Sequence, residues 1–188
     1  MGASEILKRW KLVKTDYGSN LTLFQVRYDW QENPRNGHTV KATVLEAPDW
    51  VNVVALTPTG ELVVVKQYRF GTRGITIEIP AGIIEAGEST QNAAARELLE
   101  ETGYTSDDWE YLGWVAPNPA YLNNRCHHWL AQDAQQTAAP ALDEGENLEV
   151  LVLSQKQLKR EVQSGLFRHS LAISALSQVF DLRDLLGE

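Results

Sequence analysis

The chain has 188 residues, 43% of them hydrophobic and 22% charged, with a net charge of −8. A soluble chain of this size and composition is expected to form one domain that buries roughly 70% of its unfolded surface, so its core needs no staples. The negative charge argues against a general nucleic-acid binder, which needs basic surface, and the single cysteine, Cys126, excludes an intrachain disulfide and a cysteine zinc site.

A small phosphorylated ligand remains compatible with this charge, because a bound divalent cation inverts the local balance. The opening stretch MGASEILKRW has no apolar signal region, and Ile6 stands where a myristoylation motif needs Ser or Thr. No apolar run is long enough for a helical membrane span. The expectation is a cytoplasmic protein with no membrane partner.

Taken in chain order, Trp10 to Tyr17 predicts a strand that ends at YGSN. Leu21 to Trp30 predicts a second, with Leu21, Leu23 and Gln25 on one face and Thr22, Phe24, Val26, Tyr28 and Trp30 on the other. The turn signal NPRNG leads to a third strand, His38 to Glu46, which completes an antiparallel β-meander. Val51 to Leu56 and Glu61 to Tyr68 flank TPTG as a hairpin. Ile75, Ile77 and Ile79 alternate with Thr76 and Glu78 until Pro80 ends the ladder. AGIIEAGES reads as a loop, and Thr90 to Thr102 as a helix stopped by Gly103. Two strands follow, Trp109 to Val115 and Arg125 to Ala131, then a long polar loop from Gln132 to Asn147. Leu148 to Leu153 is the last strand. Ser154 and Gln157 form a capping box for a helix that Gly165 stops, and Ser170 to Leu186 predicts a final helix. The fold class is mixed α/β (α+β), a mixed sheet packed between helices.

The central helix carries Glu97, Glu100 and Glu101 within a sector of about 100°. Ala94, Ala95, Leu98 and Leu99 fill the other side, so the pattern predicts leucines toward the core and carboxylates on one stripe. A solvated helix face is the usual meaning of such a stripe. Here, however, like charges one turn apart sit near the C-terminal end, where the helix dipole disfavours them. A hard divalent cation would relieve both conflicts.

The surrounding residues read GIIEAGESTQNAAARELLEETGY from Gly82. This resembles the Nudix box: Gly82, Glu88, Arg96, Glu97, Glu100, Glu101 and Gly103 occupy its seven fixed positions and Leu98 its apolar one, with Tyr104 where an aliphatic residue is usual. At roughly 7% per fixed residue, seven such matches arise by chance on the order of once in 10^8 starting points. The resemblance implies that Glu97 and Glu101 are divalent-metal ligands. Glu100 is a further ligand or a supporting residue paired with Arg96, and the Ala81 carbonyl is another candidate ligand. Glu88 orients the helix. The implied cofactor is Mg2+, with Mn2+ as an alternative, and the implied reaction is hydrolysis of a nucleoside diphosphate linked to a second group.

The flanking stretch KQYRFGTRGITIEIPAG resembles the ADP-ribose and nucleotide-sugar pyrophosphatase branch of that family. By this resemblance Arg69 meets substrate phosphates and Glu78 serves the substrate or the metal site. Pro119 falls near the place of the branch's proline, although Ala120 follows it and Asn123-Asn124 replace the usual acid. A GDP- or ADP-sugar is therefore as compatible as ADP-ribose. The acidic loop LDEGENLEV supplies the candidate catalytic residue, Glu146, with Glu144 as the alternative. Trp30 and Trp50 are candidates for stacking on a purine. Residues 1–50 resemble the branch's dimerisation region, which implies a homodimer, with the catalytic core over 51–188. Other readings are a Nudix enzyme for nucleoside triphosphates, dinucleoside polyphosphates or NADH, and a non-catalytic module that binds nucleotide sugars.

Overall fold

Strand-forming residues crowd the first quarter of the chain, and they build a sheet of their own. The computed structural model describes residues 8–186; most of the opening stretch read for targeting signals lies outside the described residues. Strands β1 (Lys11–Leu21), β2 (Phe24–Glu32) and β3 (Thr39–Glu46) pair in sequence order, each antiparallel to the next. They belong to a first compact unit that runs to Pro48 and includes Ala116–Asn124. Leu45 ties that segment to β3, its N–H donating to the Tyr121 carbonyl at 2.8 Å.

The YGSN stretch does not end the first strand. β1 runs through it with a register shift between Tyr17 and Asn20, and the turn falls at Thr22–Leu23, where Leu21 pairs with Phe24. Local packing explains the difference. A Cβ on Gly18 would meet the Tyr28 ring at 3.0 Å, and the Gln25 side-chain amide donates to the Gly18 carbonyl at 3.0 Å. The polar residues serve a bulge inside the strand.

The second unit comprises Asp49–Val115 and Arg125–Glu188. Its sheet is mixed. β4 (Trp50–Leu56) and β5 (Leu62–Arg69) are central and antiparallel; β6 (Gly74–Glu78) extends β5 and β7 (Ala81–Ile83) extends β4. Helix α1 (Thr90–Thr102) and the two-residue strand β8 (Tyr104–Thr105) follow. β9 (Asp108–Val115) is antiparallel to β10 (Cys126–Gln132), which runs parallel to β4. β11 (Gln135–Gln136) pairs only with β8, and β12 (Leu148–Leu153) returns beside β5. The stretch AGI is thus a strand and not part of a loop; the Val51↔Gly82 and Asn52↔Ala81 pairs give its backbone ladder partners.

Alternation along β4 decides the layers. Val51, Val53 and Ala55 pack with Ala93, Ala94 and Leu98 of α1. Val54 faces the other way, into a cluster with Leu158, Phe167, Ala175 and Leu185. That cluster joins α2 (Gln155–Ser164), α3 (Ser170–Leu176) and α4 (Leu182–Leu186) to the sheet. Each fully buried leucine here contributes about 1.5–3 kcal/mol.

The capping box of α2 is present, with Gln157 and Ser154 bonded reciprocally. The single helix expected over Ser170–Leu186 is instead two. Val179 and Phe180 turn in to pack on the core, and the Asp181 carboxylate accepts the Arg183 N–H at 2.9 Å, capping α4. Among the described residues no helix is long and apolar enough to cross a membrane.

Candidate active site

Helix α1 is set at both ends by its own sequence. The Ser89 hydroxyl accepts the Asn92 N–H, and Gly103 takes a left-handed φ of 74° while its N–H bonds the Leu99 carbonyl. The helix is rotated from the orientation its pattern suggests. Leu99 is 38% exposed, while Glu97 and Glu101 are only 8% and 4% exposed. Strand β7 covers that face. The Ala81 N–H donates to Glu101 Oε2 at 3.1 Å, and an ideal Cβ on Gly82 would fall 2.0 Å from Glu97 Oε1.

Burial pushes the Glu101 carboxyl up to about 8; the Ala81 hydrogen bond opposes this, and the nearby Glu97 and Glu146 add to it. Burial raises Glu97 as well, against the pull of Arg96. Buried carboxylates that repel one another are stabilised by a cation.

Arg96 supplies the positive charge beside Glu97. Its Nε and Nη2 grip both oxygens of Glu88 at 3.0 Å, and Nη2 also reaches the Ile83 carbonyl at 2.9 Å. Its Nη1 donates to Glu97 Oε1 at 2.8 Å and to Glu100 Oε2 at 3.1 Å. The Arg96–Glu100 pairing is the one expected, and Glu88 meets the helix through Arg96. The fork-shaped guanidinium holds three carboxylates and a β7 carbonyl at once, and its pKa rises accordingly, first through Glu88.

A cavity of ≈ 390 Å³ opens over this stripe, lined by Gly82, Arg96, Glu97, Glu100, Asp143 and Glu146 among others. Ala81 also lines it. The long polar loop reaches the cavity because it is tied to the end of α1. Thr137 and Ala138 donate to the Gly103 carbonyl, and Ala141 donates to the Glu100 carbonyl at 2.8 Å. These bonds satisfy carbonyls that a helix end leaves open. Asp143 and Glu146 then close a tight turn, with the Glu146 carboxylate accepting the Asp143 N–H at 3.0 Å. Glu146 lines the cavity; Glu144 is exposed and does not.

A second cavity, of ≈ 810 Å³, contains Trp50, Arg69, Phe70, Glu78 and His169 in its wall. Arg69 and Glu78 meet as a bidentate pair, at 2.9 Å from Nε and 2.7 Å from Nη2. Glu78 is 1% exposed, and His169 Nδ1 lies 3.5 Å from its Oε2. Nothing in the sequence pattern marks His169, a lone histidine just after a helix stop. Trp30 and Pro119 belong to the first unit and line neither of these cavities. Trp30 stacks edge-on to Tyr28, with Lys14 and Lys41 over its ring.

Among the described residues no three acid, imidazole or thiol side chains converge into a preformed metal cage. Arg96 bridges Glu97 and Glu100 instead. The donors nonetheless fit a hard divalent ion: carboxylate oxygens on adjacent turns, a Glu101 raised first by burial and then by its like-charged neighbours, and a glycine opposite that leaves the space open. Glu97, Glu101 and Glu100, with the Ala81 carbonyl, are the residues that would hold it.

The family model described as the NUDIX domain matches residues 47–169. A methanol dehydrogenase activator of Bacillus methanolicus is 34% identical over 145 residues, 77% of this chain and 78% of the relative. An ADP-ribose pyrophosphatase of Bacillus subtilis is 33% identical over 130 residues, 69% of this chain and 70% of the relative. The crystal structure of an ADP compounds hydrolase shares the fold, with a TM-score of 0.83 at 24% identity over 98% of this chain and 99% of that one. The matched span covers the glutamate helix, both cavities' strands and the connector ending at His169, and the chain belongs to the NUDIX family of hydrolases.

Proposed function

We propose that this Nudix hydrolase cleaves the pyrophosphate bond of a nucleoside diphosphate sugar, such as ADP-ribose or an ADP- or GDP-sugar, into a nucleoside monophosphate and a sugar phosphate. The observation that carries the reading is the buried carboxylate pair, Glu97 and Glu101, beside a cavity that Glu97 and Glu146 both line, while a second cavity presents Arg69. The names of the Bacillus subtilis relative and of the solved structure point the same way.

Glu97 and Glu101 would hold Mg2+, or Mn2+ in its place, with Glu100 and the Ala81 carbonyl as further donors. Such an ion would supply charge neutralisation at the pyrophosphate and a more nucleophilic water. Arg96 keeps Glu97 and Glu100 in register. Glu146 accepts a proton from the water that attacks phosphorus, and the bridging oxygen leaves with the departing phosphate. Arg69 meets the phosphates, Glu78 orients Arg69, and Trp50 offers a flat face to the base or sugar.

A homodimer belongs to the same reading. Leu12, Val13, Tyr17, Leu21, Leu23 and Val40 leave the three-stranded sheet with exposed apolar side chains, more than a monomer ordinarily shows on one small sheet. A cytoplasmic setting accords with the sole cysteine, Cys126, being a buried free thiol.

The test is a panel of ADP-ribose, ADP- and GDP-sugars, NADH and nucleoside triphosphates, assayed with and without magnesium. Release of nucleoside monophosphate from the sugars, dependent on the metal, supports the reading. Turnover confined to triphosphates or NADH would replace the substrate class, and binding without turnover of any compound would make the chain a nucleotide-sugar-binding module.

A further inference from the structure

The connector between α2 and α3 is stitched to strand β6. After the left-handed Gly165, the Leu166 carbonyl accepts the Ile77 N–H at 3.0 Å and the Thr76 hydroxyl at 3.2 Å. Phe167 is buried in the core beneath. The Leu166 carbonyl thus fastens the connector to β6, and Arg168 and His169 follow in the wall of the larger cavity. His169 occupies the N-cap position of α3, yet its side chain makes no capping bond. The ring turns to Glu78 instead, with Nδ1 at 3.5 Å from Oε2.

Glu78 is the hinge of this group. It is almost wholly buried, and its two oxygens are occupied by Nε and Nη2 of Arg69. Arg69 Nη1 takes part in neither bond, and Arg69 lines the larger cavity. A side-on pair of this kind fixes the guanidinium plane and leaves one edge for a second anion. It does so only while the carboxylate is itself held, and a buried carboxylate can swing about its final torsion unless a second donor stops it. His169 Nδ1, 3.5 Å from Glu78 Oε2, stands where such a donor is needed. A separation of 3.5 Å is long for a hydrogen bond and suits a contact that tightens when the cavity fills. Burial lowers the His169 pKa, against the pull of Glu78 and with a smaller push from Arg69.

We propose that His169 is a positioning residue for substrate binding: from Nδ1–H it holds Glu78, and through Glu78 it fixes the Arg69 guanidinium against the substrate's anionic group. This rests on the reading of Arg69 as a phosphate-binding residue. The effect belongs to binding, because His169 stands in the wall of the larger cavity and not among the residues lining the carboxylate cavity.

Three variants and two readouts test it. With ADP-ribose and saturating magnesium, His169→Ala is expected to raise KM about tenfold while kcat stays within about threefold. His169→Asn, whose side-chain amide nitrogen falls near the position of Nδ1, is expected to bring KM back to within about threefold of the parent. The second readout needs no turnover: the Arg69 Nε–H resonance in a 15N-correlated NMR spectrum, assigned by its loss in Arg69→Lys. It should broaden or vanish in His169→Ala and return in His169→Asn. An unchanged Arg69 resonance in His169→Ala overturns the proposal, as does an Asn variant that behaves like Ala while melting at the parent's temperature. If instead the resonance responds as expected but Arg69→Lys leaves KM unaltered, the positioning stands and the assignment of Arg69 to substrate falls.

Discussion

A methyl group on Gly82 would sit 2.0 Å from the carboxyl carbon of Glu97. The glycine is needed for what stands opposite it, since its φ is not among the positive values that only glycine tolerates well. Gly82→Ala should leave β7 paired with β4 and push the Glu97 carboxylate aside. A misplacement of about 1 Å in a reacting constellation costs about 100-fold in rate, so turnover should fall at least that much while the circular dichroism spectrum is retained. A variant with parental kcat would show that Glu97 is not required where it lies.

Arg96 joins Glu88, Glu97 and Glu100. Arg96→Met keeps the apolar stem and removes the shared cation. Hydrogen bonds to charged groups contribute about 1.5–3 kcal/mol each, but the partly exposed site screens them, so a net loss of about 2 kcal/mol is expected in urea unfolding. Millimolar magnesium should recover part of that loss, because an ion that binds only the folded carboxylates stabilises by mass action. Magnesium that stabilises neither the parent nor the variant would contradict the assignment of this stripe to a metal.

Glu146 and Glu144 are two residues apart, and the loop separates their roles. Both are exposed, but Glu146 lines the carboxylate cavity and Glu144 does not. Glu146→Gln should reduce kcat by about 100-fold or more, the contribution of a positioned general base. Glu144→Gln should stay within about threefold. Comparing kcat of the two variants decides it, and the opposite ranking would transfer the role to Glu144.

The exposed apolar residues of the first sheet predict self-association. Leu12→Asp removes one of them at a site where the side chain is 56% exposed, so the folded chain has little to lose. Sedimentation velocity should show a dimer for the parent and a shift toward monomer for the variant, with nearly the same melting temperature. A parent that sediments as a monomer at tens of micromolar would remove the dimer from the proposed function.

Much of this was legible because local chemistry decided it. Ser89, the periodic alanines and leucines, and Gly103 set the ends of α1, and Ser154 with Gln157 set the start of α2. What escaped depended on tertiary partners. The rotation that buries Glu97 and exposes Leu99 comes from β7, a three-residue strand with no period to read. The break after Leu176 comes from Val179 and Phe180 finding the core, which helical periodicity cannot reveal. The Arg69–Glu78 pair joins two residues singled out separately by resemblance, while His169 reaches them only because a connector ninety residues downstream is stitched to β6. The resemblance points to Glu146, but the tether to the C-terminal end of α1 that brings its loop to the cavity has no sequence signature.

Beneath the opposite face of the sheet, His128 lies fully buried between the Cys126 thiol and the Ser174 hydroxyl, which its Nε2 approaches at 3.4 Å. Burial, with a smaller push from His127, lowers its pKa to about 4. In the unfolded chain the value returns to roughly 6.5. Between those limits the unfolded state binds a proton that the folded state refuses. Stability is therefore complete above about pH 6.5, falls as the pH drops toward about 4, and flattens below; the full loss is on the order of 3 kcal/mol. Carboxylates titrate over part of this range too, so the measurement is a difference. Urea unfolding at pH 7 and pH 4.5 should show a smaller acid penalty for His128→Gln than for the parent, by about 2 kcal/mol. The imidazole resonances of His128 should stay constant from pH 8 down to about pH 5. A midpoint above pH 6 for those resonances would mean that the ring charges within the folded protein, and the acid sensitivity would have to come from another group.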